Sequence, residues 1–187
     1  MEFGKSRDRL TGDANTIPMV PMIASILTVV AYLLGSVSSA IVVCRLMGLP
    51  DPRTQGSNNP GATNVLRIGG KKAAAITLFG DTLKGLIPML VTMLITKPDS
   101  ILTLWLWLAV GCAAILGHIF PIYIKFKGGK GVATSFGVAL GLWPYYTICV
   151  LVAFGVWAVT VLIWRYVSLA SIAASVTFIL ALIAAII

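Results

Sequence analysis

A chain of 187 residues that is 58% hydrophobic and only 11% charged carries too little polar surface to cover a water-soluble globule of that size. It is read as an all-α, polytopic helical membrane protein. The formal net charge of +8 comes from basic residues in loops between apolar runs, which points to lipid headgroups or anionic substrates and discounts nucleic acid.

Residues 1–19 are polar, and the charges of Glu2, Lys5, Arg7, Asp8, Arg9 and Asp13 cancel without any hydrophobic period, so a disordered tail is expected. The tail also lacks the ordered parts of a signal peptide. Residues 20–187 are expected to form a single transmembrane domain. Met22 to Cys44 is long enough to cross a hydrocarbon core of about 30 Å at about 1.5 Å per residue, and is expected to be one helix. Its small, weakly polar stretch Gly35-Ser36-Val37-Ser38-Ser39-Ala40 suits close helix packing.

Arg45 to Lys72 is a hydrophilic connection rich in Gly, Pro and Asn, and loops of that length are usually functional. Ala73 to Ile95 is the second expected span, Lys97-Pro98-Asp99-Ser100 a tight turn, and Leu102 to Leu116 the core of the third. The basic loops on either side of this pair therefore share one face. They carry Arg45, Arg53, Arg67, Lys71, Lys72, Lys125, Lys127 and Lys130 against Lys97 alone in the opposite turn, which makes their face cytoplasmic by the positive-inside rule. Val132 to Leu142 reaches only about 16 Å as a helix, short of a crossing. Tyr145 to Trp164 and Val167 to Ile187 are full spans on either side of Arg165. If the short helix crosses, there are six crossing segments and Arg165 is cytoplasmic; if it is re-entrant, Arg165 lies outside.

Two loop segments carry the chemistry. In Gly117 to Thr134, Lys125, Lys127 and Lys130 are interleaved with Gly128, Gly129 and Gly131 just before an apolar helix. Glycines let successive backbone N–H groups turn towards one anion, and a helix N-terminus adds partial positive charge, so the pattern suits a phosphate. Lysines alone would serve only to orient a span; the glycines argue for more. In Gly56 to Arg67, Asn59-Pro60 is expected to start a helix, placing Thr63 and Arg67 on one face with Ser57 just before it, a second phosphate-binding set.

Conventional catalytic sets are absent. The single histidine, His118, is followed five places on by Tyr123, so the His-Asp signature of thioester-dependent lipid acyltransferases is missing, and Lys130-Gly131 is not a P-loop. No metal and no cofactor are expected, and Cys44, Cys112 and Cys149 read as core residues. His118 is given a supporting role. Asp81 and Lys84, three residues apart within a span, are expected to form an ion pair beside the site.

These segments, Gly35 to Ala40, Gly56 to Arg67, Gly117 to Pro121 and Phe126 to Ala133, resemble the bacterial acyl-phosphate:glycerol-3-phosphate acyltransferase family, with a likeness from about Ile23 to Ile187. The resemblance implies an inner-membrane enzyme that moves a fatty acyl group from acyl phosphate to the 1-hydroxyl of glycerol 3-phosphate, giving lysophosphatidate and phosphate at the start of phospholipid synthesis. Its partners are acyl phosphate, glycerol 3-phosphate and membrane lipids, with no obligate protein partner evident. The family's glycerol 3-phosphate ligands map to Ser57, Arg67 and Lys130, and its acyl-phosphate donors to Thr63, Asn64, Gly128 and Gly129. No protein nucleophile is implied, because the donor is already activated and a substrate phosphate can take the hydroxyl proton.

Two departures stand out. Asn58 replaces the family's usual glycine, which asparagine can do in left-handed backbone. The family has seven helices, the last leading to a cytoplasmic Arg-His-x-x-Asn segment that this sequence lacks, so the chain is expected to be weak or inactive alone. The rival functions are a transporter or flippase for a phosphorylated solute, which should show matching motifs on both faces, and a thioester-dependent lipid acyltransferase, which needs a surface for the donor's nucleotide.

Overall fold

The computed structural model describes residues 19–144 and 146–186, so the greater part of the tail lies outside the described residues. Seven α-helices follow one another: α1 Met19–Ser36, α2 Ser39–Leu46, α3 Ala62–Thr96, α4 Ile101–Ile119, α5 Val132–Gly141, α6 Thr147–Trp164 and α7 Val167–Ile186, with a 3₁₀ turn at Ile122–Ile124. Met19, counted above with the tail, already begins α1. Five helices, α1, α3, α4, α6 and α7, are long and apolar enough to cross a membrane. The short α5, the sixth crossing segment expected from the sequence, is 10 residues long and is not among these five.

Steric fit at small residues builds the centre of the bundle. A Cβ on Gly35 would collide with the backbone oxygen of Ala114, and one on Gly117 with that of Tyr32, so α1 and α4 run side by side and end together at Ser36 and His118. Ala31, Met89, Trp107, Val110, Ala114 and Val138 form the apolar core between α1, α3, α4 and α5, where the Trp107 indole N–H donates to Met89 O at 2.8 Å. In the loops, Lys97 ends α3 in left-handed backbone and a reciprocal Ser100–Thr103 capping box starts α4.

The first expected span is not one helix. It breaks between Ser36 and Ser39, where Ser38 Oγ accepts from the Ile41 N–H at 3.4 Å and starts α2 as a separate element. The break leaves the Val37 carbonyl free of the helical ladder, and Lys84 Nζ donates to it at 2.9 Å. The helix expected to start at Asn59-Pro60 instead starts at Ala62 with Gly61 as its N-cap, because the Gly61 N–H turns back onto Asn59 O at 2.9 Å. It then continues into the second span through a non-helical Gly70, at φ 77°, so the loop helix and the span form one kinked element.

The path of α5 bears on the alternative left by the sequence. Gly85 lies against Thr134, Gly137 against Thr82 and Leu86, and Gly141 against Met89, so α5 ascends alongside α3 from the depth of Lys84 towards the Lys97 end. Phe136 stacks on Phe154, with ring centroids 4.6 Å apart, which fits an α6 that descends beside α5. An α6 running this way carries Arg165, eleven residues beyond Phe154 at about 1.5 Å per residue, towards the face of the basic loops. In the first turn of α5 Thr134 is buried, while Val132 and Ser135 are exposed.

Candidate active site

On that face the end of α4, the α1–α2 break and both motif loops meet. Gly35, Ser36, Ser38, Pro60, Lys84, His118, Pro121, Ile124, Gly128 and Gly129 line one narrow cleft. Ser36 and Ser38, assigned to packing by sequence, thus also wall the cleft; the signal for them was a small polar run inside an otherwise apolar span.

The Gly128–Gly129 turn is placed by contact with α4. The Gly128 N–H donates to Ile119 O at 3.2 Å and the Gly129 N–H to His118 O at 3.1 Å, closing the C-terminus of α4. A Cβ on Gly128 would strike the His118 carbonyl, and one on Gly129 the imidazole. This corrects the expectation that these two amides face an anion, since both are already bonded. The donors left in the motif are those of the first turn of α5, Val132 to Thr134, which have no carbonyl four residues back within their helix. Lys130 is exposed beside them.

Asn64 also has a different role from the one expected. Its buried side chain accepts from the Ser57 N–H at 2.9 Å and donates to Pro52 O at 2.8 Å and Gln55 O at 3.0 Å, so every polar atom of the amide holds the loop in shape. Asn58, at φ 56°, adopts the left-handed backbone that its side chain tolerates. Thr63 and Arg67 lie on one exposed helical face as expected, and Ser57 is exposed close by in the loop.

The loop cations divide by what they already bind. Arg53 makes paired hydrogen bonds to Asp51, at 3.0 Å and 2.6 Å for the shortest contacts of Nε and Nη2, and these bonds hold the Asp51 carboxyl below its ordinary range. Arg67 and Lys130, by contrast, make no side-chain hydrogen bond or ion pair among the described residues. Behind the cleft, Lys84 Nζ lies 3.0 Å from Asp81 Oδ1, and the same oxygen is 3.6 Å from His118 Nδ1. The ion pair expected beside the site is therefore a buried three-residue cluster that includes His118. Among the described residues no group of His, Cys, Asp and Glu could hold a metal ion.

A family model described as glycerol-3-phosphate acyltransferase matches residues 25–187. The chain is a member of the glycerol-3-phosphate acyltransferase family. It is 53% identical over 149 residues to the enzyme of that name from Methylococcus capsulatus, covering 78% of this chain and 70% of the relative. Against the Thioalkalivibrio sulfidiphilus enzyme the identity is 53% over 154 residues, covering 82% and 72%. Among solved structures it is similar to PlsY (YgiH), an integral membrane glycerol 3-phosphate acyltransferase. The glycerol 3-phosphate form matches with a TM-score of 0.76 and 44% identity, over 87% of this chain and 77% of that one. The lysophosphatidic acid form matches with a TM-score of 0.75 and 43% identity. The chain is thus a multi-pass integral membrane protein of this acyltransferase family.

Proposed function

We propose that this chain transfers a fatty acyl group from acyl phosphate to the 1-hydroxyl of glycerol 3-phosphate, as the first step of bacterial phospholipid synthesis. The glycerol 3-phosphate hydroxyl oxygen attacks the acyl carbonyl carbon, and the bond from that carbon to the donor's phosphate oxygen breaks. Inorganic phosphate leaves with the bonding electrons, the hydroxyl proton passes to a substrate phosphate, and lysophosphatidate remains. The observation that carries this reading is the meeting of two phosphate-type loops on one membrane face, with Arg67 and Lys130 uncommitted while Arg53 is tied to Asp51.

In this reading Ser57, Arg67 and Lys130 hold the phosphate of glycerol 3-phosphate. Thr63 and the first-turn amides of α5 hold acyl phosphate, while Asn64, Gly128 and Gly129 give the two loops their shape. Catalysis is then positioning plus charge stabilisation, with no protein nucleophile. The single domain of residues 20–187 lies in the inner membrane with its basic face towards the cytoplasm.

Phosphate release from acyl phosphate by the purified protein, measured with and without glycerol 3-phosphate, tests the proposal. Release dependent on the acceptor is expected; vectorial solute uptake without release overturns it. Acyl-CoA should be a poor donor beside acyl phosphate, because the described residues are membrane helices and short loops without a surface for a nucleotide. Equal rates with the two donors overturn the choice of donor.

A further inference from the structure

Among the described residues, Asp81, Lys84 and His118 form a buried cluster of ionisable side chains. The exposures of the three side chains are only 3%, 9% and 6%, at the depth where α1 breaks and α5 begins. Ionisable groups placed there cost several kcal/mol unless they pair, and groups retained at such a cost within a membrane are functional by default. The pairing is incomplete: among the described residues, neither Asp81 Oδ1 nor His118 Nδ1 completes a hydrogen bond of good geometry. A role confined to stability would favour full satisfaction or an apolar replacement.

Each member touches a different part of the cleft's surroundings. Lys84 grips Val37 O at the α1–α2 break, Asp81 faces both Lys84 and His118, and His118 is the residue on which the glycine turn rests. The turn meets His118 in two ways: the Gly129 N–H donates to its carbonyl, and the ring lies so close to Gly129 that an added Cβ would strike Nε2. Rotation of that ring would push Gly129 away from α4, and Lys130 and the first turn of α5 follow directly in the chain. On the far side of the imidazole, Asp81 is the only carboxylate within ion-pair distance among the described residues.

We propose that Asp81 is a positioning residue that acts through His118 on the Gly128–Gly129 turn, so that the carboxylate sets the imidazole and the imidazole sets the acyl-phosphate loop. Neither residue is a nucleophile in this scheme, and Lys84 anchors the carboxylate to the α1–α2 break. The kinetic part of the proposal rests on the acyl-phosphate reading given above; the positional part does not.

Two measurements on the full-length protein in detergent, comparing wild type with Asp81→Asn, test it. Hydrogen–deuterium exchange should rise at the Gly128 and Gly129 amides, with the remainder of α3 and α4 protected as in wild type. The KM for acyl phosphate should rise about tenfold while kcat stays within about threefold. Combining Asp81→Asn with Gly129→Ala should cost less than the product of the single effects, whereas combining it with Arg67→Ala should give that product. If Asp81→Asn does not fold, His118→Asn, which keeps a donor near the Nδ1 position, carries the same comparison. Unchanged exchange at the turn, or full multiplicativity with Gly129→Ala, overturns the proposal. A wild type that transfers no acyl group but whose turn loosens on Asp81→Asn overturns the acyltransferase reading and supports the positional one.

Discussion

At the scale of single residues, prior commitment sets Arg53 apart from Arg67 and Lys130, which, like Arg45, Lys71, Lys72, Lys125 and Lys127, make no side-chain bond among the described residues. Arg53 faces Asp51 across 2.6 Å at its closest, whereas Arg67 and Lys130 point to solvent from a helix face and a glycine loop. Replacing either free cation by alanine removes a charge-assisted phosphate bond worth roughly 1.5–3 kcal/mol, so the KM for glycerol 3-phosphate should rise about 10- to 150-fold. Arg53→Ala removes only an exposed ion pair and should change it by less than about fivefold. Steady-state kinetics of the three variants check the ordering, and an Arg53 effect as large as the other two would mean the loop reorganises on binding. Asn64 belongs to the opposite group: buried, fully bonded and without a free polar atom. Asn64→Ala unpairs two carbonyls and the Ser57 N–H at once, and should cost about 1–3 kcal/mol of stability by thermal melting. Proteolysis near Arg53 should quicken with it, and an unaltered melting curve would remove the clasp from the account.

At the scale of elements, glycine spacing decides which helices can approach. Gly35 and Gly117 face backbone oxygens of the neighbouring helix, which cannot move aside as a flexible side chain can, so Gly35→Ala and Gly117→Ala should each cost about 1–3 kcal/mol or more by overpacking. Gly155 has no atom within 4 Å of an added Cβ, so Gly155→Ala should be neutral or stabilise by up to about 1 kcal/mol through helix propensity. Fluorescence-detected melting in detergent separates the two classes; equal losses at all three positions would show that backbone propensity, not fit between α1 and α4, governs. Hydropathy made the five long helices and the short α5 legible in the sequence, because period and length survive whatever the tertiary packing does. The break at Ser36–Ser39 was hidden because apolar residues lie on both sides of it, and the partner that satisfies the carbonyl it frees, Lys84 on Val37 O, lies 47 residues away. The phosphate loops were legible from their glycines, but the use of those glycines was not. Whether an amide at Gly128 or Gly129 meets an anion or the end of α4 depends on a tertiary contact that local pattern does not contain. Asn64 was misread for the same reason, since its partners sit up to twelve positions back in a loop without periodicity.

At the scale of the whole molecule, the asymmetry of charge and the path of α5 together dictate which loops share a compartment. α3 descends from the Lys97 turn to the kink at Gly70 when followed backwards, and α4 runs from the same turn to His118, so both motif loops occupy one face. Without a crossing by α5 the chain would reach Arg165 on the other face. The parallel run of α5 against α3, and the antiparallel return of α6 past Phe136, bring Arg165 back to the basic face instead. Positive residues are retained on the cytoplasmic side, so Lys127 and Arg165 should be reached from inside and Asp99 from outside. The test places single cysteines at these three positions in a protein whose Cys44, Cys112 and Cys149 are replaced by alanine. Each is then exposed to a membrane-impermeant maleimide in right-side-out and inverted bacterial vesicles. Lys127→Cys and Arg165→Cys should label in inverted vesicles and Asp99→Cys in right-side-out ones. Labelling of Arg165→Cys together with Asp99→Cys would make α5 re-entrant and reduce the crossings to five, while labelling of Lys127→Cys from outside would invert the molecule and remove its site from the cytoplasm. The first two patterns leave the cleft on the face of Lys127, because its lining comes from the α1–α2 break, the end of α4 and the two motif loops and not from α6 or α7; only the third moves it.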